Sequence, residues 1–219
     1  VAFMDIMGFK EMVAREPHQE VLERMKWFRE NVIDAIEQEA QRRLVSGGRS
    51  TEKSLKLFGG SIVRPVMFSD SILLVSNDDS IESADYLLFC VRRLLRESLK
   101  KGIPIKGAIA HGKQTADFEK SLHLGQPLID AYELQNEMLL YGVILHHSFD
   151  RYIDDLDMVD QFEQYSNIYK YLTPLKNGTV NHHIVGWLTA QHNNDISLAD
   201  ISRLYNSVSG SSRRYVDNT

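Results

Sequence analysis

The chain has 219 residues, 43% hydrophobic and 25% charged, the composition of one ordinary globular domain. No apolar run reaches the ~18–20 residues of a membrane span, and no basic–apolar–small leader heads the sequence, which points to a cytoplasmic protein. A net charge of −5 argues against a general nucleic-acid binder but leaves room for a nucleotide pocket, because a few local donors and a metal hold phosphates. Cys90 is the single cysteine, which excludes an internal disulfide and a cysteine-based zinc cluster. The first residue is Val rather than Met, so further residues are expected ahead of it.

"VAFMDIM" reads as a buried strand interrupted by one carboxylate, Asp5, and Gly8 breaks it before the helical "FKEMVAREP". From Pro17 to about Leu44, apolar residues recur at three- and four-residue spacing (Val21, Leu22, Met25, Phe28, Val32, Ile33, Ile36), which predicts a long amphipathic helix. "SGGRSTEKS" is polar and glycine-bearing and reads as a loop. "SIVRPVMFSDSILLVS" predicts two strands joined by a tight turn at Ser69, Asp70 and Ser71. "SIESADYLLFCVRRLLRESLKKG" is the clearest helix, capped by Ser80, striped by Leu87, Val91, Leu94, Leu95 and Leu99, and ended by Gly102. "IPIKGAIAHGK" is a strand carrying Lys106, and "QTADFEKSLHLG" reads as a loop. "QPLIDAYELQNEML" is a helix with Pro127 in its first turn, and "GVILHHS" is a strand. Residues 150–177 give no clear pattern; "TVNHHIVGWLT" reads as a strand, "DISLADISRLYNSV" as a helix, and the polar tail "SGSSRRYVDNT" as frayed.

The first six elements spell βαββαβ, an α+β, ferredoxin-like core with helices on one face of an antiparallel sheet. One domain is expected, with a core over residues 1–147 and a C-terminal elaboration over 148–219. In such a sheet the first strand and the central hairpin lie side by side, so Asp5 and Asp70 converge at one edge. Two carboxylates together repel unless a cation sits between them. Two Mg²⁺ or Mn²⁺ ions, bound by hard oxygen ligands, meet that need and can activate a hydroxyl for in-line displacement of pyrophosphate. Gly8 lets backbone N–H groups, with that of Phe9, approach the phosphates at a helix start. For each aspartate alone the simpler reading is structural: Asp70 makes the turn and Asp5 caps the next helix. Adjacent histidines within a strand point to opposite faces, so "LHHSF" and "NHHIV" do not chelate a metal. A nucleophile elbow and a P-loop are both missing from the sequence.

Together, "FMDIMGF", "FSDSILL", "IPIKGAIAHG" and "LGQPLIDAYELQ" resemble the catalytic core of the class III nucleotidyl cyclases over roughly residues 1–147. The resemblance implies Asp5, Asp70 and the main-chain oxygen of Ile6 as metal ligands, and a homodimer with active sites shared across its interface. The purine-reading residues of that family do not carry over. Ile129 and Glu133 stand where purine cyclases place Asn and Arg, Leu122 where many adenylate cyclases have an acid, and Val66 where a base-reading Lys is usual. A kept metal set without a purine set looks like the pyrimidine cyclases of the Pycsar antiphage defence systems. Those make cyclic UMP or cyclic CMP that activates a separate effector. Arg64, on the same strand face as Val66, is the candidate base reader, since a guanidinium matches the two carbonyls of uracil and favours UTP over CTP. Lys106 is a candidate phosphate ligand; Lys10 and Lys113 are weaker ones, and Tyr132 reads as packing. The alternatives are a cytidylate cyclase, a purine cyclase of unusual composition, and a non-catalytic nucleotide sensor.

Overall fold

A computed structural model describes residues 1–34, 62–187, 196–208 and 213–219. The second half of the long helix expected to Leu44, and the loop at "SGGRSTEKS", lie outside these residues. The strands are β1 (Ala2–Ile6), β2 (Val63–Phe68), β3 (Ser71–Ser76), β4 (Ile105–Ile109), β5 (Gln114–Asp117), β6 (Leu122–Gly125), β7 (Gly142–Leu145), β8 (Ile168–Leu175) and β9 (Gly178–Val185). Between them run α1 (Phe9–Arg15), α2 (His18–Phe28, continued by one π-helical turn over Arg29–Ile33), α3 (Ile81–Lys100) and α4 (Gln126–Glu137). Further along come α5 (His147–Asp155), α6 (Val159–Tyr165), α7 (Leu198–Ser207) and α8 (Arg213–Asp217).

Seven strands form one mixed sheet in the order β2-β3-β1-β4-β7-β9-β8, and β5 and β6 make a separate hairpin. Every neighbouring pair in the large sheet is antiparallel except β4 with β7. The protein is therefore α+β with a mixed sheet.

Alternation along the strands divides the interior into two faces. Ala2, Met4 and Ile6 of β1 join Phe28, Ile33 and the apolar stripe of α3 in the main core. Fully burying each such Leu or Val contributes about 1.5–3 kcal/mol, so this stripe fixes α3 on the sheet. Ser80 caps α3 by accepting from the Ser83 N–H, and Gly102 closes it at φ 66°. The opposite face carries Phe3, Ala108 and Ile144 beneath Ala131 and Leu134 of α4, so helices cover both sides of the sheet. Gly107 is needed between Met4 and its neighbours, because a Cβ there would overlap the Met4 side chain and the Phe3 carbonyl.

Three segments differ from the sequence reading. The loop expected at "QTADFEKSLHLG" is the β5–β6 hairpin, turning at Ser121 with φ 52°. Residues 150–177, unassigned from sequence, supply the end of α5, α6 and β8. The described part of the tail, residues 213–219, is docked rather than frayed. Val216 is buried, Tyr215 stacks on Tyr141, the Asn218 amide donates to the Leu139 carbonyl, and the Tyr141 N–H donates to Thr219 Oγ1. The main core draws on Ile153, Phe162, Val185, Ile201 and Val216 as well as on residues before position 147.

Candidate functional site

At one edge of the sheet, the end of β1 meets the β2–β3 turn and the start of β4. Asp5 stands opposite Ser71 on β3 and opposite Lys106 on β4. Asp70 occupies the turn itself, and its main-chain oxygen accepts the Ile6 N–H at 2.9 Å. The turn forms because Ser69 takes a left-handed φ of 55°, which leaves Asp70 against the end of β1. The two aspartates are thus brought to one place, as the sequence suggested. The capping role for Asp5 is not what the structure has: Gly8, φ 76°, is the N-cap of α1, with no side-chain cap hydrogen bond among the described residues.

The carboxylate of Asp5 is held at both oxygens. Ser71 Oγ donates to Oδ1 and Gln135 Nε2 donates to Oδ2, each at 2.7 Å. Burial pushes the Asp5 carboxyl above the usual carboxylate range and the nearby Asp70 charge adds to this, while the Ser71 and Gln135 hydrogen bonds and the Lys106 charge oppose it. Neither aspartate forms an ion pair with a described residue. Ser71 and Gln135 were not singled out from the sequence. Ser71 could have been, since antiparallel pairing puts a hydroxyl beside an end-of-strand acid. Gln135 lies 130 residues from Asp5 and meets it only because α4 crosses over β1.

Lys106 is 6% exposed and makes no hydrogen bond or ion pair with a described residue; its Nζ lies 5.6 Å from the centre of the Tyr215 ring. Burial lowers its pKa, the Lys176 charge lowers it further, and Asp5 and Glu137 act in the opposite sense. Tyr215, from the docked tail, is a neighbour of this edge that the sequence reading placed in solvent. Gly8 is exposed and Phe9 half-buried at the start of α1, next in the chain to Ile6 and Met7. Lys10 and Lys113 are exposed. Tyr132 is half exposed, with its ring edge-on to Phe3 at 5.5 Å.

Arg64 is not brought to the aspartates within the chain. It stands opposite Val75, whereas Asp5 stands opposite Ser71, four residues along β3. That offset is about 13 Å at ~3.3 Å per residue, with β3 lying between β2 and β1 as well. Its guanidinium carbon sits 4.2 Å over the Phe118 ring, a contact supplied by the β5–β6 hairpin. Beside them, His123 meets Phe118 edge-on, and its Nδ1 is buried with no hydrogen-bond partner among the described residues.

The paired histidines have separate partners. His146 caps α5 rather than ending a strand, its Nδ1 accepting from the Ser148 N–H. His182 bonds the Leu145 carbonyl through Nδ1 at 3.0 Å. His183, 6% exposed, lies between two carboxylates, with Nδ1 2.8 Å from Asp150 Oδ1 and Nε2 3.1 Å from Glu163 Oε1. Both ring nitrogens face acceptors, an arrangement that the doubly protonated ring satisfies by donating to both. The Asp150 hydrogen bond is the main cause of its raised pKa, burial opposes it, and Glu163 adds to the rise. Among the described residues no three His, Cys, Asp or Glu side chains are grouped as metal ligands. No helix among them is long and apolar enough to cross a membrane.

Compared with protein-family models and with curated proteins, the chain has no match.

Proposed function

We propose that the chain is a pyrimidine nucleotide cyclase of the class III type, converting UTP to 3′,5′-cyclic UMP and pyrophosphate as the signal-generating enzyme of an antiphage defence system. The observation that carries this reading is the meeting of Asp5 and Asp70 at one sheet edge with no described cation paired to either. The antiparallel order β2-β3-β1-β4, with α2 and α3 on one face, supports a ferredoxin-like cyclase core.

The donor set fits Mg²⁺ or Mn²⁺: two part-exposed carboxylates and the main chain at Ile6 offer hard oxygens, and the carboxylate charges await neutralisation. Two ions held by Asp5, Asp70 and the Ile6 carbonyl would supply the charge that favours ionisation of the ribose 3′-hydroxyl and departure of pyrophosphate. The chain's own part is placement. Asp5 and Asp70 set the metal position, the backbone at Gly8 and Phe9 approaches the β- and γ-phosphates, and Lys106, buried beside Tyr215 on the neighbouring strand, is the candidate phosphate cation. The 3′-oxygen bonds to the α-phosphorus while the bond from that phosphorus to the bridging oxygen breaks. Val66, Leu122, Ile129 and Glu133 leave no purine-reading set, which supports a pyrimidine base.

Arg64 reads that base from a second copy of the chain, because in its own chain it is far from Asp5. Exposed apolar side chains support a homodimer on this side: Phe68 (81% exposed) at the end of β2, Leu122 and Leu124 on β6, and Ile129 and Tyr132 on α4. A second reading is a cytidylate cyclase: Arg64 lies over the Phe118 ring, and with its guanidinium kept there the preference for the two carbonyls of uracil is lost. HPLC of the products from a mixture of all four nucleoside triphosphates with Mn²⁺ tests the proposal. Cyclic UMP is expected, cyclic CMP supports the second reading, and cyclic AMP as the dominant product defeats both.

A further inference from the structure

Gln135 is 1% exposed, in the last turn of α4, and its two ends fare differently. Nε2 donates to Asp5 Oδ2 at 2.7 Å, with a longer contact of 3.4 Å to Asn136 Oδ1. Oε1 is buried and has no hydrogen-bond partner among the described residues. An amide buried with an unpaired carbonyl costs about 1–3 kcal/mol, whereas Met fills a similar volume without that penalty. Packing alone therefore does not account for a glutamine here; the contact with Asp5 does. The reversed amide would set Oε1 against the carboxylate, so the orientation with the nitrogen toward Asp5 is the one an ionised Asp5 selects.

The kind of donor matters as much as its presence. Ser71 and Gln135 are neutral, so they fix both Asp5 oxygens, leave each with acceptor capacity, and cancel none of the charge. Lys106 faces Asp5 across the β1–β4 register, yet it makes no ion pair with it, and its ammonium lies by the Tyr215 ring. Lys106, the cation opposite Asp5 in the strand register, is thus held off a carboxylate that two neutral groups hold in place. That is the arrangement a metal ligand requires, because an ion-paired lysine would compete with the metal.

We propose that Gln135 is a positioning residue that holds the Asp5 carboxylate in the orientation that binds a divalent cation, with Ser71 as the second support. This rests on the reading of Asp5 and Asp70 as a metal site. Outer partners of metal ligands of this kind are worth 10–100-fold in affinity or activity.

Mn²⁺ binding followed by electron paramagnetic resonance, beside thermal melting, separates the possibilities. Gln135→Met is expected to weaken Mn²⁺ binding by about 10–100-fold. Its melting temperature should stay close to that of the wild type, because the orphaned carbonyl is removed with the hydrogen bond. Gln135→Asn, which withdraws the amide by one methylene, should lose Mn²⁺ affinity in the same range. A folded Gln135→Met variant with wild-type Mn²⁺ affinity overturns the proposal, as does a variant that loses stability but not affinity. In ¹⁵N-labelled wild type, free of any folding risk, the Gln135 side-chain NH₂ signals should shift as Mg²⁺ is titrated. Signals that ignore Mg²⁺ while the metal binds also overturn it. A wild type that binds neither ion fails in a different way: the metal reading of Asp5 and Asp70 falls, and the role of Gln135 with it.

Discussion

Two pairs of carboxylates are brought together in this protein, and they are completed differently. Asp150 and Glu163 flank the buried imidazolium of His183, which donates to both. Asp5 and Asp70 lie together, and among the described residues the side-chain donors on Asp5 are two neutral ones, Ser71 and Gln135. The first arrangement is closed: a cation from the chain itself offsets part of the carboxylate charge, and it ties α5 and α6 to β9. The second is open, with the pKa of Asp5 raised by burial and by Asp70. A structural clamp carries its own counter-charge, and a binding site leaves that position for its ligand. The two pairs should therefore respond in opposite ways to mutation.

The largest expected effect is at the open pair. Asp70→Asn should lower cyclase turnover by more than about 100-fold, measured as pyrophosphate release from UTP with Mn²⁺. Asp5→Asn should do the same without lowering the melting temperature, because it removes a half-buried charge beside another of the same sign. At the closed pair the pattern reverses. His183→Gln should cost about 2 kcal/mol in denaturant unfolding, because one of the two charge-assisted hydrogen bonds is lost and the carboxylates lose their cation. The dependence of turnover on Mn²⁺ should be unaffected. Loss of metal dependence in His183→Gln, or a large loss of stability in Asp5→Asn, would break the contrast.

The contrast also has a pH signature. The pKa of His183 is raised in the folded chain, so its contribution to stability is complete below the ordinary histidine value of about 6.5 and is lost as pH rises through the raised value. The melting temperature of the wild type should therefore fall relative to that of His183→Gln as pH rises through that window. Equal pH profiles for the two proteins would count against a protonated clamp. Smaller again is the effect expected at Arg64. Arg64→Lys keeps the charge but not the planar fork, and should raise KM for UTP about tenfold with little change in kcat.

The open pair is legible in the sequence because Asp5 interrupts an apolar strand, Asp70 sits in the turn between two others, and the order βαββ fixes which strand ends meet. Its supports were less legible. Gln135 reaches Asp5 through the packing of a helix across the sheet, and no local periodicity encodes that contact. The β5–β6 hairpin reads as a loop because "QTADFEKSLHLG" is short and polar, lacking the alternation of a half-buried strand. The docked tail was missed for a related reason: Tyr215 and Val216 anchor a segment that is otherwise polar. Arg64 shows the converse. Strand alternation correctly gives it the same face as Val66, but a face is not a level, and register sets it four residues along β3 from the aspartates.

The most direct test of the account is a crystal structure with Mn²⁺ and a non-hydrolysable UTP analogue, using anomalous scattering to locate the metal. The account predicts Mn²⁺ between Asp5 and Asp70, with the triphosphate against the backbone at Gly8 and Phe9. Anomalous density elsewhere, with the Asp5–Asp70 edge empty and the nucleotide bound at another surface, would contradict it.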